Sequence, residues 1–178
     1  MSTQQSREPL GAEPTPRKLV SADQTFSPGA AGSTPFRGPS GAPAPTVKLA
    51  VLLREDLPVW QRLNVTAFLV SGLASAHPEL IGEPYLDADD TEYLPMFGQP
   101  LLVFAGSKET LTAAHGKALA RGWTVSIFTS ELFHTGNDRD NRAAVRGVPS
   151  DALDLVGLAV HGPRNAVDKV LKGASLHS

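Results

Sequence analysis

The sequence predicts an α/β sandwich around a largely parallel central sheet of about four strands, with a small hairpin beside it. Three observations carry this. KLAVLLR (48–54), PLLVFAG (100–106) and LDLVGLAVHG (153–162) are apolar runs of strand length, as in strands covered on both faces. Stretches with helical spacing separate them. Strand and helix alternate along the chain, and layered α/β folds are built from that order.

The elements follow in turn. After the first strand Asp56 is placed to cap a helix, with Pro58 in the first turn, where a missing N–H costs little. That helix is expected over about 58–76. Val59, Leu63, Ala67, Val70 and Ala74 form one stripe, widened by Val65, Phe68, Leu69 and Gly72. So broad an apolar surface suits a helix between layers or at a subunit contact. EPYLDADDTEYLP (83–95) reads as a hairpin with Asp87 to Asp90 as its acidic turn. Ser107 caps a second helix that Gly122 ends. WTVSIFT (123–129) is the third strand, and NDRDNRAAVRG (137–147) a short helix capped by Asn137 or Asp138. The fourth strand is 153–162, and Pro163 opens a last helix that Gly173 closes.

Residues 1–46 differ in kind. They hold eight of the fifteen prolines and five of the sixteen glycines, with sparse, unpatterned bulky apolar residues. Such a segment cannot bury enough surface to offset its ordering entropy, so a disordered tail is expected at 1–46 and the α/β domain at 47–178. KLVSADQTF (18–26) is its one candidate for a docked strand or hook. The chain has no cysteine, which removes disulfides and thiolate metal sites. It also lacks an apolar run of membrane-spanning length and a secretory h-region. A cytoplasmic protein is the expectation.

In open α/β sheets ligands gather beyond the carboxyl ends of the strands, where helix N-termini offer free N–H groups. The candidate loops here are 54–61, 106–109, 129–138 and 161–164. TSELFHTGNDRDNR is the richest, gathering Thr129, Ser130, Glu131, His134, Thr135, Asp138 and Arg142. From the first helix come Gln61, Asn64 and Thr66. Asn64 and Thr66 lie about 200° apart around it, so at most one faces a given pocket, and Thr66 has a backbone carbonyl within reach as an alternative. For Asn64 a site role and a structural hydrogen bond are both open. Glu131 beside His134 allows a base and its orienting partner, though no nucleophile motif accompanies them. The five histidines lack zinc spacing, DADDTE lacks the glycine and terminal glutamate of a calcium loop, and no phosphate-binding glycine motif or serine elbow is present. No metal or cofactor is expected.

KLAVLLREDLPVWQRLNVTAFLVSG, LTAAHGKALARGWTVSIFTSELFHTG and LVGLAVHGPRNAVDKVLKGASL together resemble a bacterial family of uncharacterised proteins in the type 2 peptidyl-tRNA hydrolase-like superfamily. The resemblance covers 47–178 and implies a three-layer fold around a mixed sheet. It implies the activity less completely. Asp56-Leu57 matches the hydrolases, but their lysine-bearing turn is replaced by PVWQRLN, putting Gln61 or Asn64 where the catalytic lysine is expected. Thr129 or Ser130 falls near the place of their later aspartate. An amide cannot exchange a proton near neutral pH as a lysine can. Residues 47–178 carry 12 Lys+Arg against 15 Asp+Glu, a net of −3, which does not suit tRNA.

The expectation is therefore a cleft for a small or peptide-like ligand, with lysine-dependent hydrolysis lost. Asn64, Glu131 and Thr135 would be its working residues, and Asp56, Gln61, Thr66, Thr129, Ser130 and His134 would contact the ligand. Two alternatives stand beside it: a hydrolase of peptidyl or aminoacyl esters with a replaced catalytic set, and a homodimeric scaffold or regulatory module built on the first helix.

Overall fold

The computed structural model describes residues 46–177, so the tail and its candidate hook at 18–26 lie outside the described residues. Strand β1 (Val47–Arg54) occupies the centre of a five-stranded sheet. Parallel β4 (Leu101–Gly106) lies on one side and antiparallel β6 (Leu155–Pro163) on the other. Outside them run β5 (Ser126–Thr129), antiparallel to β6, and β7 (Ser175–Leu176), antiparallel to β4. A separate hairpin pairs β2 (Tyr85–Leu86) with β3 (Glu92–Tyr93).

The mixed sheet agrees with expectation; it has five strands where about four were expected, and it is not largely parallel. Among the described residues only β1 and β4 form a parallel pair. The reason lies in the 130–154 connection. Its first residue, Ser130, donates its N–H to the Asp154 carbonyl at 2.9 Å, so the chain leaves β5 and enters β6 at the same end of the sheet. A helix between two strands forces a parallel pair only when it crosses the sheet from end to end.

Four helices complete the domain: α1 (Val59–Ala76), α2 (Lys108–Leu119), α3 (Asp138–Arg146) and α4 (Arg164–Val170). Ser107 caps α2 by accepting from the Thr110 N–H at 3.3 Å, and Asn137 caps α3 by accepting from Asp140 N–H at 3.0 Å. Asp56 does not cap α1. The N-cap is Pro58, without a side-chain bond, and the Asp56 carboxylate is turned back to Arg54.

Each face of the sheet feeds its own core. Ala50, Leu52, Leu158 and Val160 point to α2 and α4, meeting Leu111, Ala114, Ala118, Val167 and Val170. Leu49, Val51, Leu53, Val156 and Ala159 point to α1, meeting Val65, Leu69 and Leu73. At Gly157 a Cβ would lie 2.4 Å from Val65 Cγ1 and 2.8 Å from Leu69 Cδ1, so the approach of α1 to β6 requires glycine there.

The buried side of α1 is Val65–Leu69–Leu73, and the stripe that begins Val59–Leu63–Ala67 faces outward. Val59 is 70% and Leu63 68% exposed. Both stripes are apolar at helical spacing, so periodicity alone does not choose between them.

Candidate functional site

Helix α1 lies across β5 and β6, and α3 stands off the far side of β5. Between them opens a groove of about 880 Å³. Four aromatic rings form a continuous row in it. Trp60 meets Phe133 edge-on at 5.9 Å, Phe133 meets Phe128 at 5.1 Å, and Phe128 meets Phe68 edge-on at 5.8 Å. Asn64 and Ser71 contribute polar groups from α1, and Ser126 from β5. Asn141, Arg142 and Arg146 project from α3 on the opposite wall.

Ser126, Ile127 and Phe128 line this groove, and they belong to an edge strand. Among the described residues no strand pairs with the outer side of β5. The N–H and C=O groups on that side are hydrogen-bonding valences that an extended chain can fill.

The titratable groups lining the groove are Asp138, Arg142 and Arg146. Arg142 Nε donates to Asp138 Oδ2 at 2.8 Å, one turn apart on α3, which leaves Arg146 as the wall's unopposed cation among the described residues. No lysine or histidine lines the groove. Its chemistry is apolar contact and hydrogen bonding, without a group poised to move a proton near neutral pH.

A smaller depression of about 380 Å³ lies at the carboxyl ends of β1 and β4. Arg54 donates to Asp56 at 2.7 Å and to Asp154 at 3.0 Å, and Lys108 Nζ stands 2.7 Å from Asp154. The Lys108 ammonium, a hydrogen bond from Ser130 and the Arg54 charge overcome partial burial and hold the Asp154 carboxyl down to about 2. This cluster ties the end of β1, the first residue of α2 and the entry to β6 together. The adjoining turn is fastened by Arg62, which donates to the carbonyls of Leu57 at 2.7 Å and Glu55 at 2.6 Å.

The residues expected at a site divide between these places. Asn64 and Thr135 both line the large groove. The Thr135 hydroxyl lies 2.9 Å from the Leu132 carbonyl and also reaches the Asn141 side-chain oxygen, both acceptors for its one proton, so it also pins the loop to α3. Asp56 lines the smaller depression. Thr66 donates to the Arg62 carbonyl at 2.7 Å and bonds within its own helix. Thr129 is buried at the end of β5, its Oγ1 without a partner among the described residues. Ser130 bonds to Asp154. Gln61, Glu131 and His134 line neither hollow. The Glu131–His134 pair is therefore not brought to the groove that holds Asn64. His161 stands at the opposite end of the sheet, because β6 runs against β1; its ring meets His77 at 4.6 Å.

Sequence reasoning missed the aromatic row. Trp60 and Phe68 lie on a helix with an apolar face on two sides, and Phe128 and Phe133 straddle a strand end; each reads singly as core. Among the described residues no group of three or more His, Asp or Glu could hold a metal ion, and no helix is long and apolar enough to cross a membrane.

None of the curated proteins matches the chain. A solved structure, a protein of unknown function, Atu0240, from Agrobacterium tumefaciens strain C58, is 44% identical to it. The match covers 76% of this chain and 100% of that one, with a TM-score of 0.74. A family model described as protein of unknown function (DUF2000) matches residues 47–178, and with three quarters of its length inside that match the chain belongs to the DUF2000 family.

Proposed function

We propose that the domain binds a peptide-like ligand, laid extended along the free edge of β5 with its apolar side chains against the four-ring row. The resemblance to the type 2 peptidyl-tRNA hydrolase-like superfamily enters here as ancestry, with the lysine-dependent hydrolysis lost. The observation that carries the reading is the groove itself: an aromatic floor beside a strand edge unpaired among the described residues, with Asn64 on one wall and Arg146 on the other. Strand addition supplies main-chain hydrogen bonds while pockets read alternate side chains. Asn64 offers an amide that both donates and accepts, suited to a peptide group or side-chain amide. Arg146 suits a carboxylate on the ligand.

The test is a titration of arrayed extended peptides of six to eight residues, aromatic at alternate positions and ending in a free carboxylate. Trp60 lines the groove, so its fluorescence reports occupancy. Trp60→Ala and Phe133→Ala should each weaken binding about tenfold or more, followed by calorimetry, and Asn64→Ala about threefold to tenfold. Failure of every such peptide to bind below about 1 mM would remove the reading. So would binding that is indifferent to Trp60→Ala.

Hydrolysis has one observation in its favour. Lys108 lies with Asp56 and Asp154 at the strand ends, although its ammonium is paired with Asp154. Turnover of a labelled peptidyl-tRNA that disappears in Lys108→Met would establish that alternative instead.

A further inference from the structure

The large apolar side chains left exposed outside the groove fall mainly into two groups on one layer of the domain. Val59 and Leu63 stand at the start of α1. Leu86, Tyr93, Leu94 and Met96 stand on the hairpin, Leu94 at 88% exposure. The hairpin leaves the domain just past the other end of α1. Its base is closed by the Ile81–Phe97 bridge, and Leu80 and Phe97 pack in the α1-side core. The 18-residue helix, roughly 27 Å long, runs from the first group toward the base of the hairpin.

The hairpin is a built arm. Asp87 accepts from the N–H groups of Asp89 and Thr91, both at 2.9 Å, and from the Tyr93 hydroxyl at 2.8 Å. Asp90 takes the left-handed conformation the turn requires, with φ 59°. A two-stranded hairpin standing alone in water is marginal, and these strands carry apolar side chains that the domain does not cover.

We propose that two copies of this chain pair about a twofold axis on the α1 side, the hairpin of each lying across the N-terminal half of the other's α1. Three features select a second copy as the occupant. The two apolar groups sit at opposite ends of one layer, so a single twofold brings both into contact at once, which an isologous interface demands. Leu86 stands opposite Glu92 and Tyr93 opposite Tyr85, so Tyr93 faces the other side of the hairpin. Val59, Leu63, Leu86, Leu94 and Met96 present roughly 600 Å² of apolar surface, most of the roughly 800 Å² each partner gives to a standard interface. The charges also match. The start of α1 has neither a side-chain cap nor an acidic residue in its first turn, Asp56 just before it is held by Arg54, and the hairpin turn presents Asp89 and Asp90. The surface borders the groove, because Trp60 and Asn64 share the N-terminal half of α1 with Val59 and Leu63; Leu63→Glu and Leu94→Asp leave the groove residues themselves unchanged.

The experiment is sedimentation equilibrium on the full chain at about 1–100 µM. The expected mass is twice 18.8 kDa. Leu63→Glu and Leu94→Asp should each raise the dimer dissociation constant at least about thirtyfold while the circular dichroism spectrum stays that of the parent. Because the chain has no cysteine, Leu63→Cys and Leu94→Cys copies can be mixed and treated with a short bis-maleimide. The mixture should cross-link well beyond either variant alone. A monomer throughout the range would overturn the pairing and leave the face to a different protein. A dimer untouched by both charged variants, or cross-links formed only between like copies, would overturn it equally.

Discussion

The two faces of the sheet start from equivalent strands and finish differently. On the α2 and α4 side, small residues let the helices settle close: Ala114 and Ala118 are fully buried against Ala50 and Leu158, and Leu111 is fully buried with them. On the α1 side the inner stripe packs as tightly, down to the glycine contact at 157, but the outer surface of the layer stays apolar. The first face is architecture throughout. The second combines architecture beneath with exposed apolar surface above, where the groove's α1 wall and the arm lie.

The largest effect that tests this contrast is a pair of truncations. Leu111→Ala should lower the unfolding free energy by about 2–5 kcal/mol through cavity formation. Leu63→Ala, measured in urea at dilute protein, should stay within about 0.5 kcal/mol. Equal costs at the two positions would erase the distinction between the faces.

Next in size, Gly157→Ala should cost about 1–3 kcal/mol, because the new methyl group must push Val65 and Leu69 outward. Thermal unfolding of the variant, paired with Val65→Ala as a compensating change, locates the strain. Recovery in the double variant is the expected outcome.

The smallest effect concerns the ion cluster that pins α2 to the ends of β1 and β6. Asp154 has its carboxyl lowered from 3.8 to about 2, so its contribution is complete above pH 3.8 and is lost as the pH falls through about 2. Asp154→Asn should cost about 1–2 kcal/mol at pH 7, after allowance for its partial exposure, and the difference from the parent should shrink between those two pH values. Urea midpoints across pH 2–5 measure it. A difference that is flat with pH would show that the carboxylate charge contributes nothing there.

Much of the architecture is legible in the sequence because local chemistry decides it. The apolar runs of β1, β4 and β6 announce strands, buried in β1 and β6 and only half-buried in β4, and Ser107 and Asn137 announce their helices. The sense of β6 is not legible, because it depends on whether the chain from 130 to 154 crosses the sheet or returns to its starting end. Nor is β7, whose two residues acquire meaning only beside Phe104 and Ala105. Asp56 sits where a cap belongs but is held by Arg54, a competition settled by tertiary geometry.

The candidate site divides along the same line. That Asn64 and Thr135 line one groove follows from α1 and the loop after β5 flanking the same edge strand. That Glu131 turns away follows from the short 3₁₀ helix over Ser130–His134, whose rotation no local pattern dictates. The aromatic row spans residues 60 to 133 and exists only in the folded chain.

The placement of β1 has a further consequence, for synthesis. Its Ala50 pairs with Val160, so about a hundred residues must emerge from the ribosome before the middle strand receives its second neighbour. Until then the nascent chain carries Leu49 to Leu53 with one flank bare, a segment fit to seize any passing strand. Chaperone dependence during translation, and loss of soluble product when the reading frame stops short of β6, follow from that order of assembly.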